Sequence, residues 1–143
     1  MTDLEQRRFI DTNVWLYAFI TSQDEAKSII ARKLLENSHS QLLVSTQVIN
    51  EVCVNMLRKT DTDEAGLKQL IHSFFYRYEV VMLEESVLLA ASDLRQLYSL
   101  SYWDSLIVAT ALAAGATVLY SEDMQGGQII DGRLTIMNPF QSD

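Results

Sequence analysis

The chain has 143 residues, the usual length of one domain, and 48% of them are hydrophobic against 21% charged. This balance is typical of a globular protein whose core forms without disulfides, and we expect one domain spanning residues 1–143. The formal net charge is −8, which argues against a protein that holds nucleic acid on a basic face.

Cysteine content and hydropathy bear on the cellular compartment. Cys53 is the only cysteine, so no disulfide forms within the chain, as is usual in the reducing cytosol. The N-terminal segment carries acids and lacks the apolar stretch of a signal peptide. No apolar run approaches the roughly 18 residues that a bilayer crossing needs. We therefore expect a cytoplasmic protein without a membrane partner.

In the first half of the chain, short apolar runs alternate with segments in which apolar residues repeat at helical spacing. The predicted elements are a strand at 8–10, a short helix or tight turn at 13–19, a helix from 22 to 37, a strand at 41–45 and a helix from 46 to 59. Ser22 and Glu25 form a capping-box pattern for the first long helix, and Ser45 or Thr46 is the expected cap of the second.

The second half begins with a polar break at 60–66 and continues the alternation. The predicted elements are a helix at 65–77, a strand at 79–83, a helix at 85–98, a helix at 102–114, a strand at 116–120 and a last strand or extended segment within 132–140. Gly115 is placed to end the fourth of these as a C-terminal glycine.

Alternating strands and helices imply parallel strand pairing, because parallel strands need crossover connections. The strand segments are continuously apolar, as strands covered on both faces are. The sequence therefore predicts an α/β fold, a three-layer α/β/α sandwich around a mainly parallel sheet. In such open sheets ligands bind beyond the carboxyl ends of the strands.

Two acids stand where that rule puts functional groups. Asp11 directly follows the first predicted strand, and Asp123 follows the strand at 116–120. Each also has a local explanation, since Asp11 can cap the next helix and Asp123 can belong to a polar turn. Two acids at two strand ends are more informative than either alone.

Two further acids lie on helices. Asp104 is the only charged residue of a helix that is apolar nearly all round, and Ser101 three residues earlier makes a capping box with it. Glu51 lies opposite the apolar side of its helix, alongside Asn55, so a solvated face is the simpler interpretation from pattern alone.

The histidines, the cysteine and the tryptophans are weaker indications of a functional site. His39 and His72 are isolated, and Cys53 lies on an apolar helical face that indicates core. Trp15 and Trp103 are interpreted as core or interface aromatics rather than platforms for stacking bases. The chain has no Walker, GxSxG or GxGxxG motif.

The segments FIDTNVWLYAF, STQVINEV and YWDSLIVATALAAGATVLYSED, in this order and spacing, resemble the PIN-domain family. The likeness covers nearly the whole chain and is greatest to the VapC-like toxin ribonucleases of bacterial toxin–antitoxin pairs. The resemblance implies a PIN-like fold and a site built on four acids, with supporting positions at Asn13 and at Ser121, where the family often has Thr. The four acids are Asp11, Glu51, Asp104 and Asp123.

The resemblance also implies the chemistry and the partners. The four acids would hold Mg²⁺ or Mn²⁺ for hydrolysis of RNA phosphodiester bonds, and carboxylate oxygens are the ligands that such cations prefer. The crowded carboxylates are expected to have raised pKa values without metal. The implied partners are RNA, a cognate antitoxin and a second copy of the chain in a homodimer.

Two alternatives remain at this stage. One is a catalytically silent PIN-like domain that binds RNA or protein. The other is a strand-end aspartate enzyme such as a phosphatase, but the haloacid-dehalogenase type needs D-x-D after the first strand, where this chain has Asp11-Thr12-Asn13.

Overall fold

The computed structural model describes residues 6–37 and 41–141. One six-stranded sheet runs in the order β3-β2-β1-β4-β6-β5. Its strands are β1 Arg8–Ile10, β2 Leu42–Ser45, β3 Glu79–Val81, β4 Val118–Tyr120, β5 Ile129–Ile130 and β6 Leu134–Met137. Four of the pairings are parallel, and only β5 runs antiparallel to its neighbour.

Six helices connect the strands: α1 Thr12–Phe19, α2 Glu25–Asn37, α3 Thr46–Lys59, α4 Glu64–Arg77, α5 Glu85–Tyr98 and α6 Tyr102–Ala113. Helix α1 packs against both α2 and α3, α3 packs against α4, and α5 packs against α6. Because crossovers between parallel strands are right-handed in nearly all proteins, these two groups belong on opposite faces of the sheet. The predicted three-layer sandwich with a mainly parallel sheet is therefore confirmed. No helix in the described ranges is both long and apolar enough to cross a bilayer.

Strand β1 lies at the centre of the sheet, and this position locates the site. Phe9 is in register with Leu43 of β2 on one side and with Leu119 of β4 on the other. From β1 the chain adds β2 and then β3 on one side of the sheet, and it then crosses back to add β4 on the other side of β1. The strand order therefore reverses between β1 and β4. A crevice opens at such a switch point, beyond the carboxyl ends of the two strands.

The core under this crevice is aromatic. Trp15 of α1 is 0% exposed and packs edge-on against Phe74 and Tyr78 at ring distances of 5.0 and 4.9 Å. Its indole N–H donates to the carbonyl of Ile10 over 3.1 Å. The ring therefore fixes α1 to the last residue of β1, and Trp15 is core, as expected. Cys53 is also buried, as expected.

Helix α6 is enclosed along its middle. Seven consecutive residues, from Ser105 to Ala111, are buried, because α5 covers one side and the sheet the other. Gly115 follows at a φ of +77°, the left-handed conformation in which an added side chain is strained. The sequence prediction of a buried helix closed by this glycine is confirmed.

The structure differs from the sequence prediction at several element ends. Ser22 does not cap α2: the helix begins at Glu25, and the Asp24 carboxylate accepts from the Lys27 N–H over 3.0 Å. Of the two candidates for α3, Ser45 is the cap, since its hydroxyl accepts from the Val48 N–H.

Two strand predictions also need correction. Strand β3 ends at Val81 and forms an edge of the sheet, so it is only partly covered. The two-residue strand β5 was not predicted, and it pairs with β6 through a turn in which Asp131 and Gly132 have positive φ.

His39 lies outside the described residues, and His72 is exposed on α4.

Candidate active site

Asp11 lies at the carboxyl end of β1 and is buried. Its backbone N–H donates to Tyr120 of β4 over 3.0 Å, which ties it to the neighbouring strand end. One carboxylate oxygen accepts from the Thr12 N–H at 2.7 Å, and the other accepts from the Ser121 hydroxyl at 2.9 Å. Asp11 is thus the cap of α1 and a strand-end acid at once.

Burial changes the proton affinity of Asp11. Desolvation is the main cause that raises its pKa from 3.8 to about 6. The hydrogen bonds from Thr12 and Ser121 act in the opposite direction, and the charges of Glu51 and Asp104 raise the pKa further. The fold therefore holds a carboxylate whose negative charge is poorly solvated, and a cation beside it would relieve that cost.

Asp104 lies in the first turn of α6. The Ser101 hydroxyl accepts from its backbone N–H over 3.1 Å, so the predicted cap is present. Its own side chain is half-buried, and its pKa is raised, first by desolvation and then by the charges of Asp123 and Glu51. The crowding of carboxylates raises pKa values as expected, but burial is the larger cause.

Glu51 of α3 faces the same crevice. Thr12 donates to one of its oxygens over 2.8 Å, and Gln47, one turn earlier on α3, donates to the other over 3.0 Å. The side chain is partly buried, so the interpretation as a solvated face is wrong. Helical periodicity shows which side of α3 is polar, but not whether that side meets bulk solvent or a crevice.

Asp123 follows β4 and is the most exposed of the four acids. The Asn13 amide donates to its carboxylate over 2.5 Å. Asn13 and Ser121 thus each hydrogen-bond one of the four acids. The neighbouring Glu122 instead forms an ion pair with Lys27 and accepts from the Tyr17 hydroxyl.

The four acids line one cavity of about 170 Å³, hereafter the four-acid cavity. Its remaining lining residues are Thr12, Asn13, Gln47, Asn55, Trp103 and Ile107. Among the described residues no three His, Cys, Asp or Glu side chains converge closely enough to hold a bare metal ion as they stand. The volume nevertheless equals that of several water molecules, at about 30 Å³ each. The donor set and the space fit a hydrated hard cation such as Mg²⁺, which usually keeps several waters.

Three lining residues were missed in the sequence as contributors to the site. Thr12 and Gln47 both hydrogen-bond Glu51, and Trp103 lines the cavity beside Asp104. Gln47 lies four residues before Glu51, on the same face of a helix, which is a signal available in the sequence. Trp103 carried no such signal. It is exposed, so of the two interpretations given for it, core or interface, core is wrong.

Three pairs of basic residues are adjacent in the sequence, at 7–8, 32–33 and 58–59, and their members make different contacts. Arg7 forms an ion pair with Glu79 and donates to a backbone carbonyl, and Arg32 donates to the carbonyl of Ala18. Lys59 at the end of α3 lines a second cavity, of about 310 Å³, that also contains Asn13 and Glu122. This second cavity adjoins the four-acid cavity, since Asn13 lines both.

Solved structures of other proteins match the fold of this chain. A toxin–antitoxin complex from Klebsiella pneumoniae matches with a TM-score of 0.70 and 21% identity over 94% of this chain and 99% of that one. The Mycobacterium tuberculosis toxin VapC20 matches with a TM-score of 0.67 and 18% identity over 81% and 89%. VapBC2 from Rickettsia felis, bound to a promoter DNA fragment, matches with 0.64 and 17% over 93% and 100%. At these low sequence identities, the TM-scores show a shared fold and nothing more.

Sequence comparison assigns the family. Among curated protein sequences none matches this chain. The family model of the PIN domain matches residues 8–125, a range that contains the four acids and both supporting residues. The chain belongs to the PIN domain family.

Proposed function

We propose that this protein is a divalent-metal-dependent endoribonuclease that hydrolyses RNA phosphodiester bonds. The observation that carries the proposal is the four-acid cavity. Asp11, Glu51, Asp104 and Asp123 come from four distant parts of the chain and line one small space at the switch point of the sheet. Burial and mutual repulsion raise the pKa values of Asp11 and Asp104. Ionising these two carboxylates in the folded chain therefore costs free energy, which a bound cation would offset.

The residues have distinct proposed roles. Asp11 and Asp104 hold the principal cation, Mg²⁺ or Mn²⁺, while Asp123 and Glu51 complete the site through water or with a second cation. Such cations stabilise negative charge on a phosphate and supply a nucleophile from water at neutral pH. Ser121 and Thr12 orient the carboxylates of Asp11 and Glu51 through the hydrogen bonds described above.

The net charge of −8 is compatible with RNA binding on this account. Cations in the four-acid cavity provide positive charge at the reacting phosphate, and Lys59 provides a further positive charge on the adjoining rim. Contacts to the backbone are then few and confined to the rim. RNA binding is expected to be modest and sensitive to salt.

A toxin–antitoxin role is the biological context that we propose. The matched structures include a toxin–antitoxin complex, a toxin described as cleaving the sarcin–ricin loop, and a VapBC pair bound to promoter DNA. By analogy, this chain is the toxin in the cytoplasm, forms a homodimer, and is blocked by a cognate antitoxin that covers the four-acid cavity.

The activity is tested by incubating purified protein with RNA and Mg²⁺ or Mn²⁺ and separating the products by size. We expect cleavage by the wild type, loss of cleavage for Asp11→Asn and Asp104→Asn, and unchanged cleavage for the matched control Asp61→Asn, an exposed acid between α3 and α4. Glu51→Gln decides whether Glu51 is a bystander. Cleavage that persists undiminished in excess chelator contradicts the proposal.

The alternative is a PIN-like domain that binds RNA or protein without cutting. The cleavage assay separates the two, because only the first proposal predicts cleavage by the wild type that Asp11→Asn abolishes. Expression in bacteria tests the toxin role. Growth arrest that requires Asp11 and is relieved by the product of the neighbouring small open reading frame supports it, and harmless expression of intact protein counts against it.

A further inference from the structure

The two tryptophans of the chain occupy opposite environments. Trp15 is 0% exposed in the aromatic core, whereas Trp103 is 63% exposed. A large exposed aromatic ring has an unfavourable contact with water and is enriched where proteins meet ligands or partners. Trp103 directly precedes Asp104, so its ring lies at the edge of the four-acid cavity.

A further cavity adjoins this edge and is hereafter called the Trp103 cavity. It measures about 460 Å³ and is lined by Thr46, Gln47, Asn50, Glu51, Leu83 and Trp103. Gln47, Glu51 and Trp103 line both cavities. The two spaces are therefore neighbours, and a group bound in the Trp103 cavity lies beside whatever the four acids hold.

The first turn of α6 is fixed by its own contacts. Arg95 of α5 donates to the Ser105 hydroxyl over 2.8 Å, and its guanidinium lies 4.4 Å from the centre of the Tyr102 ring. The Tyr102 ring packs edge-on against Trp103 at 5.4 Å. The indole of Trp103 is thus held by a rigid turn while most of its surface remains open, which reduces the entropy cost of stacking a ligand on it.

The polar wall of the Trp103 cavity contains an incompletely satisfied amide. Gln47 is 9% exposed, and its N–H group donates to Glu51 over 3.0 Å. This bond fixes the orientation of the amide, and the carbonyl oxygen is left without a hydrogen-bond partner among the described residues. A buried carbonyl without a donor is costly, so a ligand with N–H groups gains by supplying one.

We propose that the Trp103 cavity is a nucleobase subsite, in which an unpaired base stacks on Trp103 and presents its N–H groups to Gln47. This inference rests on the proposed ribonuclease function and specifies its substrate. The nucleotide next to the phosphate held at the four acids is unstacked and single-stranded, because a paired base cannot offer its face to the indole. Trp103 is a positioning residue, since it binds the base and takes no part in bond cleavage.

The proposal is tested on the full wild-type chain with Ca²⁺ in place of Mg²⁺, so that the four acids are intact and a cation that prefers oxygen ligands is available to them. The probes are a five-nucleotide single-stranded oligoadenylate and the same sequence in a duplex, and a gel run after each titration verifies that the probe is intact. Affinity is measured by fluorescence anisotropy of the end-labelled probe, which does not depend on Trp103. In the chain that keeps Trp103, binding should also quench tryptophan fluorescence, and the quenching reports Trp103 because Trp15 is enclosed. We expect Trp103→Ala to weaken single-strand binding about 5- to 150-fold, as loss of base stacking does. Trp103→Phe keeps most of the affinity, and the control Tyr76→Ala, which removes a 91% exposed ring on α4, has no effect.

Kinetics in the otherwise wild-type chain give a second measurement. We expect Trp103→Ala to raise KM for single-stranded RNA and to leave kcat within a few-fold of wild type. If the protein binds the oligonucleotide with this pattern but never cleaves, the nucleobase subsite stands and the ribonuclease proposal fails.

Four outcomes overturn the subsite. The first is equal binding of the single strand and the duplex, and the second is full affinity in Trp103→Ala. The third is full affinity in Trp103→Leu, a variant that keeps apolar bulk without a ring. The fourth is absence of tryptophan quenching by the oligonucleotide in the chain that keeps Trp103. A fifth is a Trp103→Ala variant that loses only self-association, since Trp103 then contacts a second copy of the chain and not a base.

Discussion

Replacing Asp11 by Asn is expected to abolish cleavage and to stabilise the metal-free protein. The carboxylate of Asp11 is buried and its pKa is raised from 3.8 to about 6, chiefly by burial. Asn is neutral and nearly the same shape. Its carbonyl can accept from the Thr12 N–H as Asp11 does, and its amide can donate to the Ser121 hydroxyl, which rotates to accept. The variant thus removes the buried charge and keeps the two hydrogen bonds.

The magnitude follows from the pKa difference. The native state holds the Asp11 proton more tightly than the unfolded state, so wild-type stability falls as the pH rises from 3.8 through about 6, and the loss is complete above that value. Each pKa unit corresponds to about 1.4 kcal/mol, so the full penalty is about 3 kcal/mol. Real unfolded chains and local relaxation reduce this value. We expect Asp11→Asn to raise the free energy of unfolding by roughly 1–3 kcal/mol at neutral pH.

The assay is denaturant unfolding followed by circular dichroism in excess chelator, at neutral pH and again near the lower end of this window. The stability gain of Asp11→Asn should shrink at the lower pH, because Asp11 then becomes protonated in the wild type. Adding Mg²⁺ should stabilise the wild type and not the variant, by mass action on the folded state. A variant that is less stable than wild type at neutral pH, or a gain that does not change with pH, refutes the electrostatic argument.

Three further predictions test neighbouring contacts. Ser121→Ala removes a hydrogen bond that lowers the pKa of Asp11, so the acidic limb of the pH–activity profile should move to higher pH while activity persists. Lys59→Ala should weaken RNA binding and reduce the slope of log Kd against log salt concentration by about 0.7, as for loss of one phosphate contact on a single strand. Ser101→Ala removes the cap that accepts from Asp104 and should lower the unfolding free energy by about 1 kcal/mol in denaturant titrations.

Much of the fold was predictable because its signals are local. Strand β1 and helix α3 have the bounds that apolar runs and a serine cap predict, and Gly115 closes α6 at a positive φ. Asp11 was recognisable as a candidate because it follows a buried strand in a parallel sheet, where ligands bind. Position along the chain indicated both a strand-end acid and a cap of the next helix, and Asp11 has both positions in the structure.

The remaining features depend on contacts between distant segments. Glu51 looked solvated because its helix alone does not reveal that β1 and α6 bring Asp11 and Asp104 towards the same side. Ser22 matched a capping pattern, but Asp24 is the side chain that reaches the helix N–H. Trp103 belongs to an apolar sequence and yet is exposed at a cavity edge. Sequence patterns report polarity, and only the packing of elements determines what each face meets.

Metal binding by the four acids is tested most directly by titrating the purified protein with Mn²⁺ and following the free ion by electron paramagnetic resonance. We expect saturable binding to the wild type, loss of that binding in Asp11→Asn and Asp104→Asn, and unchanged binding in the control Asp61→Asn. Equal Mn²⁺ binding by the wild type and by Asp11→Asn would contradict the assignment of the four-acid cavity as the metal site.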